Sequence, residues 1–222
     1  MRLWDPENRP VLIRWIAVTA LVLVAGTMLA WSLVRDNTEG SQDRPSLVTV
    51  RRVVSGHCIK VKPTNRVVYA GIRSPYPDEP FHDEATRRNA ELVEGRELRL
   101  RYDRHPRDRK GRLFAYAFAD DVFVNETLVR EGLAFVRLTP ETLRFAERLL
   151  DAQTDARSHH RGIWKDAAES TETAYPADPK YGTFHRPDCE VASQIKSDRR
   201  VVLKSRSEAF DRGFAPCDKC RP

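Results

Sequence analysis

Cysteine is scarce, four in 222 residues, which excludes a disulfide-dense scaffold. Long apolar runs are scarcer still. There is one, over residues 15–34, and its being alone excludes a polytopic membrane protein. No internal repeat is visible. Apolar residues as a class are not lacking: at 41% hydrophobic the chain has enough to bury, which excludes a mostly disordered protein. The length allows one or two domains. The net charge of +6 favours an anionic partner such as nucleic acid or lipid headgroups, although many basic proteins bind neither.

The charge is unevenly placed. It is zero over 1–46, +6 over 47–165, −4 over 166–178 and +4 over 179–222. Two basic blocks are therefore divided by a short acidic stretch, DAAESTETAYPAD, which reads as a spacer. The uncharged run WIAVTALVLVAGTMLAWSLV is 20 residues long. As a helix at about 1.5 Å per residue it spans roughly 30 Å, the depth of a bilayer core. Trp15 and Trp31 near its ends suit the membrane interface. A cleaved signal peptide is the rival reading, but its apolar region should be only about 7–15 residues, and Met28 makes a poor cleavage site near Ala30. The sequence thus predicts a short tail (1–14), a single transmembrane anchor (15–34) and a polar tether (35–46). The arginines flanking the run are balanced and give little orientation; the expectation is a cytoplasmic tail and an extracytoplasmic body.

Residues 47–165 read as α+β. LVTVRRVV, CIKVKP, RVVYAGI, ELRLRYD and RLFAYAFAD are strand-like, ELRLRYD with the two-residue alternation of a half-buried strand. Helices are predicted over 80–94, 125–131 and 139–158, the last with Thr139 as N-cap and Pro140 at its first position. Five short strands with a helix between the third and fourth predict a five-stranded OB-type barrel with three helices.

The segments RVVSGHCIKV, YAGIRSPYPDEP, DRKGRLFAYAF, FVNETLVREGLAFV and RGIW follow the order of the thermonuclease (staphylococcal-nuclease-like) family, which residues 47–165 resemble. The resemblance implies an OB barrel and a calcium-dependent phosphodiesterase acting on DNA and RNA. Residue by residue, however, the implied site is altered. Where the family's first loop carries Asp-Gly-Asp-Thr, this chain has Ser55-Gly56-His57-Cys58. The phosphate-gripping arginine of the following strand is Val68. The next loop, Asp-Thr-Pro-Glu in the family, is Arg73-Ser74-Pro75-Tyr76. Arg112 alone matches, as the second phosphate-gripping arginine. Calcium wants six to eight oxygens, several of them carboxylate, and an arginine at a ligand position repels it. Tyr76, with a reference pKa of about 10, is no base near neutrality. Calcium is not expected. A rebuilt site would have to draw on Arg66, on Asp78, Glu79, Asp83 or Glu84, or on His57 as a base or transition-metal ligand.

Residues 96–112 hold eight basic side chains against three acidic ones, and Arg99, Arg101, Arg109 and Arg112 are the candidate contacts to single-stranded DNA or RNA. Phe114, Tyr116 and Phe118 follow at period two and read either as core or as base-stacking rings. Nothing in the sequence names a protein partner.

Near the C-terminus, His185-x3-Cys189 and Cys217-x2-Cys220 form two ligand pairs suited to tetrahedral zinc. A disulfide is the rival. Ser205-x-x-Glu208 reads as a capping box and 201–203 as a strand. Residues 179–222 predict a small α+β module whose folding leans on the metal. The module resembles the zinc-binding N-terminal domain of Ada-type methyl-phosphotriester repair proteins. The resemblance implies a metal site at these four positions. It does not carry over methyl transfer, because His185 stands where that family has its acceptor cysteine. Three readings of the whole follow: a membrane-anchored nuclease-like binding protein without catalysis, an active phosphodiesterase with a rebuilt site, or a protein-interaction scaffold.

Overall fold

The computed structural model describes residues 46–62, 66–107, 111–165 and 172–222, which form one compact unit. The tail, the predicted anchor at 15–34 and nearly all of the tether lie outside the described residues. Among the described residues no helix is long and apolar enough to cross a membrane.

The barrel is laid down in chain order. Strands β1 (Leu47–Ser55), β2 (Cys58–Lys62) and β3 (Val67–Tyr69) form an antiparallel meander, followed by the two-residue β4 (Ile72–Arg73). Helix α1 (His82–Val93) leads to β5 (Glu97–Arg101) and β6 (Leu113–Ala119), which the short β7 (Val122–Phe123) extends. The order β3-β2-β1-β5-β6 closes on itself because β3 also pairs with β6, in parallel. The result is the five-stranded barrel expected from the sequence. Alternation does what the period predicts: Val48 and Val50, Leu98 and Leu100 point inward, while Arg99 and Arg101 stay outside. Helix α2 (Val124–Arg130), β8 (Phe135–Val136) and helix α3 (Ala146–Ser158) then cover one end, and a 3₁₀ turn follows at Gly162–Trp164.

Helix α3 starts later than the predicted position 139. Thr139 does not cap it; the Thr142 hydroxyl instead accepts the Thr139 N–H at 2.8 Å, and the Thr142 N–H returns to the Thr139 carbonyl. That closed turn isolates residues 139–142 from the helix and leaves Leu143 exposed.

The second lobe is a four-stranded sheet in the order β11-β9-β10-β12, built from β9 (Tyr175–Asp178), β10 (Thr183–Phe184), β11 (Val201–Leu203) and β12 (Ala215–Pro216). Helices α4 (Glu190–Ser193) and α5 (Arg206–Asp211) complete it. Ser205 accepts the Glu208 N–H at 3.0 Å, one half of the expected capping box; Glu208 reaches back to the Lys204 N–H, one residue short of the reciprocal bond. The stretch read as an acidic spacer ends sooner than 178. Tyr175 and Ala177 are buried, and Asp178 is a buried carboxylate paired with Arg199 at 3.2 Å. Counting charge alone hid the strand, since one of the four acids belongs to the core of the sheet.

Nor are the lobes independent, as a spacer would imply. Phe135, Ala156, Ile163 and Trp164 of the first share one apolar cluster with Tyr175, Phe184, Leu203 and Phe210 of the second. The buried Gln153 amide accepts the Val136 N–H at 2.7 Å and donates to the Phe210 carbonyl at 2.8 Å, so one side chain serves both lobes. Leu138 donates its N–H to the Gly213 carbonyl. At Gly182 the approach is closer still: φ is +61°, and a Cβ there would lie 2.2 Å from the Leu138 carbonyl oxygen.

Candidate functional site

Ser55 and His57 flank the turn between β1 and β2, and the segment 73–76 runs alongside. Gly56 makes this possible, because a Cβ there would fall 2.7 Å from both Ser74 and Ala85. Asn89 on α1 pins the loop from beneath, donating to the Ser55 carbonyl at 2.8 Å while accepting the Tyr69 hydroxyl. Asn125, at the start of α2, does the same for the next turn by bonding the Ala117 N–H and the Ala70 carbonyl.

The structure brings Ser55, His57 and Ser74 together, with the charge of Arg73 acting on His57. Arg73 is 1% exposed. Strand β4 pairs with β8 so that Arg73 lies opposite Phe135, and its guanidinium sits 4.8 Å from the Phe135 ring and 4.9 Å from the Tyr76 ring. Nη1 donates to Glu79 Oε2 at 2.7 Å, and the same oxygen accepts the Tyr76 N–H at 2.7 Å. Nε and Nη2 are buried without a hydrogen-bond partner among the described residues. Glu79, one of the carboxylates on which a rebuilt site was expected to draw, is thus engaged by Arg73 and the Tyr76 N–H. The sequence reading missed this pair, because nothing local marks Arg73 as buried; an unpaired buried guanidinium would be costly, and Glu79 meets it.

His57 receives two bonds at Nδ1, from the Ser74 hydroxyl at 2.7 Å and the Ser74 N–H at 3.3 Å. The N–H contact assigns the ring proton to Nε2. Burial, then the positive charges of Arg137, Arg73, His82 and Arg112, pull its pKa down to about 3. The ring is neutral, its Nδ1 lone pair is occupied, and Ser74 is sealed from solvent. Arg137, which the sequence reading missed, is held by its Nε–H to the Tyr181 carbonyl at 3.1 Å; burial pushes its pKa down. It follows β8 in a segment whose apolar neighbours masked it.

Ser55, His57 and Arg73 bring none of the carboxylates that calcium prefers. They present a hydroxyl, a neutral imidazole and a buried guanidinium, and the named charges acting on His57 are all cationic. Val68, at the first arginine position, lies in β3 opposite Cys58, and Cys58 is a buried thiol whose pKa burial raises against the pull of Arg66, Arg112 and Lys60.

The basic stripe divides. Arg99 and Arg101 project from the outer face of β5 and both lie over Phe118, at 5.7 and 5.9 Å. Arg112 is exposed over Phe114, on the side of His57. Arg109 lies outside the described residues. Tyr116 and Phe118 are core, packed with Phe123 and Phe145, and the Tyr116 hydroxyl donates to Asp103. They are not stacking platforms.

At the far end of the second lobe, His185, Cys189, Cys217 and Cys220 bring their ligand atoms within 4.8 Å of one another, the one such grouping of His, Cys, Asp or Glu among the described residues. His185 Nδ1 and Cys189 Sγ are 3.6 Å apart. The edge of a tetrahedron around zinc, with bonds of about 2.0 Å to N and 2.3 Å to S, is near 3.5 Å. Surrounding groups suit thiolates: the Lys219 N–H points at Cys217 Sγ and the Arg186 N–H at Cys220 Sγ. Thr183 contacts His185 Nε2 at 3.4 Å, leaving Nδ1 for a metal. Burial is the first cause in raising the Cys217 thiol and in pushing that of Cys220 to about 12. The donor set fits zinc.

A model of the family described as "Staphylococcal nuclease homologue" matches residues 66–166. The SPbeta prophage-derived endonuclease YokF of Bacillus subtilis is 32% identical over 139 residues, 58% of this chain and 47% of that protein. Endonuclease YncB, also of Bacillus subtilis, is 34% identical over 140 residues, 58% of this chain and 66% of its own length. The thermonuclease of Staphylococcus intermedius is 30% identical over 125 residues, 52% of this chain and 74% of the thermonuclease. The chain thus spans less than two thirds of the two Bacillus relatives. With the closed barrel, its covering helices and these matches in agreement, the chain belongs to the staphylococcal nuclease homologue family.

Proposed function

We propose that this protein is a nuclease-fold binding protein that holds single-stranded nucleic acid without hydrolysing it. One observation carries the reading: a buried guanidinium, Arg73, paired with Glu79, stands where the family resemblance puts a calcium-binding carboxylate. Arg112 is the phosphate-gripping position kept. Arg99 and Arg101 supply an outward basic face for phosphates. Zinc at His185, Cys189, Cys217 and Cys220 has a structural role, since four protein ligands leave no open position. Residues 15–34 anchor the chain in a membrane with its body on the extracytoplasmic side.

The test is an assay of the full chain on labelled single-stranded DNA with calcium, manganese or zinc. The expected outcome is salt-dependent binding and no turnover with any of the three. Cleavage that a chelator and Arg112→Ala both abolish would establish the rebuilt phosphodiesterase instead, a reading the relatives named as endonucleases favour.

A further inference from the structure

Arg73 has its counter-ion in Glu79, but Arg137, one residue past β8, has no carboxylate within ion-pair distance among the described residues. Its stem is fixed. The Arg137 N–H donates to the Gly71 carbonyl at 2.8 Å, Nε–H donates to the Tyr181 carbonyl at 3.1 Å, and Cγ lies 3.1 Å from where a Cβ on Gly182 would fall. The two terminal nitrogens have no protein acceptor among the described residues, and neither is sealed from solvent. Burial pulls the Arg137 pKa down and the charges of Arg73 and Arg112 act the same way, against Tyr76 and the more distant carboxylate of Asp218.

The Tyr181 carbonyl that holds Arg137 belongs to the turn between β9 and β10. Asp178 braces this turn. Its carbonyl accepts the Tyr181 and Gly182 N–H groups at 3.1 and 3.0 Å, and its carboxylate accepts the Lys180 N–H at 3.0 Å while pairing with Arg199. The braced turn presents Tyr181 at 52% exposure, and Lys180 has no carboxylate partner among the described residues. The Lys180 and Arg199 cations stand 5.5 and 5.9 Å from the Tyr181 ring centre, near the outer limit of about 6 Å for such contacts, so they flank the ring and leave it open. The turn lies beyond residue 166, outside the part of the chain that the family model matches.

We propose that Arg137 grips a phosphate of single-stranded nucleic acid and that the base beside that phosphate stacks on Tyr181, with Lys180 flanking the same strand. The inference rests on the nucleic-acid-binding reading above and adds the second lobe to the path of the strand. A half-buried guanidinium without a counter-ion is costly, and its open fork fits an oxyanion through two parallel bonds. Arg137 thereby returns a second cation to the side of Arg112, where Val68 has removed the family's other arginine. Tyr181 decides between a phosphate strand and an acidic peptide. An exposed ring stacks any base. A peptide would need a strand edge for its backbone groups, and β9 and β10 are both interior strands of their sheet.

The experiment uses the full chain and measures the anisotropy of a labelled oligothymidylate decamer and of an abasic decamer with the same phosphates, across a salt series. Arg137→Gln should weaken both strands and flatten the salt slope by about 0.7, the share of one phosphate contact. Tyr181→Leu should weaken the decamer about tenfold, the scale of one stacked base, and leave the abasic strand unchanged, while Tyr181→Phe binds as the parent does. In the unaltered protein, a strand carrying 5-iodouridine should photocrosslink to Tyr181, located by mass spectrometry; this measurement decides even if a variant fails to fold. Thymidine monophosphate binding as tightly as the decamer would support the site and make its source a free nucleotide. Crosslinks confined to the barrel, an unchanged salt slope in Arg137→Gln, or equal losses on both strands in Tyr181→Leu would overturn the proposal and leave the nucleic-acid reading standing. No binding of either strand at low salt overturns both. Binding of oligoglutamate that Arg137→Gln abolishes, with decamer binding unaffected, would make the ligand an acidic peptide and refute the proposal.

Discussion

Replacing Glu79 with glutamine removes one charge and almost no volume, and the consequence can be worked from the geometry. Arg73 is left ionised, 1% exposed, with two of its nitrogens already lacking partners. Two unit charges about 4 Å apart at an effective dielectric of about 20 interact by roughly 4 kcal/mol. Breaking a buried pair from one side costs about 3–5 kcal/mol by experience with such pairs. The substituted amide carbonyl could still accept one N–H, and the Glu79 side chain is 11% exposed, so the lower end, about 3 kcal/mol, is expected. For a unit of this size, at about 2–4 °C per kcal/mol, the thermal midpoint should fall by about 10 °C, followed by far-ultraviolet circular dichroism. The companion variant removes the other half. Arg73→Met combined with Glu79→Gln places an adaptable apolar side chain between the Tyr76 and Phe135 rings and should return stability to within about 1 kcal/mol of the parent. A midpoint loss below about 3 °C in the single variant, or a double variant no better than the single, would show that the pair is not the keystone of this loop.

Two further outcomes follow from the described geometry. The His57 pKa lies below its unfolded value of about 6.5, so its contribution to stability is complete above pH 6.5 and is lost as pH falls toward about 3. Its ring is only partly enclosed, so water screens the effect and about 2–4 kcal/mol should disappear across that interval; His57→Asn, which keeps an acceptor for Ser74, should flatten the acid limb of a urea-midpoint profile, and an unchanged limb would refute the assignment. Protein prepared without added metal should carry one zinc per chain by elemental analysis, lost in Cys217→Ser or Cys220→Ser. Chelation should lower the midpoint of one shared unfolding transition, because Gln153 and the Trp164–Phe210 contact join the lobes; two separate transitions would contradict that.

Much of the barrel was legible because strands with one buried face write a two-residue period, as Leu98 and Leu100 do against Arg99 and Arg101. The grouping of His185, Cys189, Cys217 and Cys220 was legible because short chelating spacings are local. What was not legible depends on partners distant in sequence. Tyr175 and Ala177 look like linker until β10 and β11 flank them on either side. Thr139 looks like a helix cap until Thr142 takes its N–H. The period-two aromatics were ambiguous for a similar reason: Tyr116 and Phe118 belong to the core because Phe145, far along the chain, closes over them. Arg137 gave no local signal at all. Its role comes from the Tyr181 carbonyl and from the company of Arg73 and Arg112, neither visible in a window around it.

The shared core also orders events in time as the chain is made. The carbonyl of Phe210 that Gln153 needs lies 57 residues downstream. At about 5–20 residues per second, the ribosome takes roughly 3–11 s to supply it. Throughout that interval the barrel's strands can pair, yet Phe135, Ile163 and Trp164 lack the Phe184, Leu203 and Phe210 that complete their cluster. The nascent barrel therefore passes through a stage with an uncovered aromatic face, open to holdase chaperones or to another nascent copy. Slowing synthesis between residues 165 and 210 should lengthen that stage. A stop codon placed there would make it permanent, leaving a closed barrel that aggregates through one face.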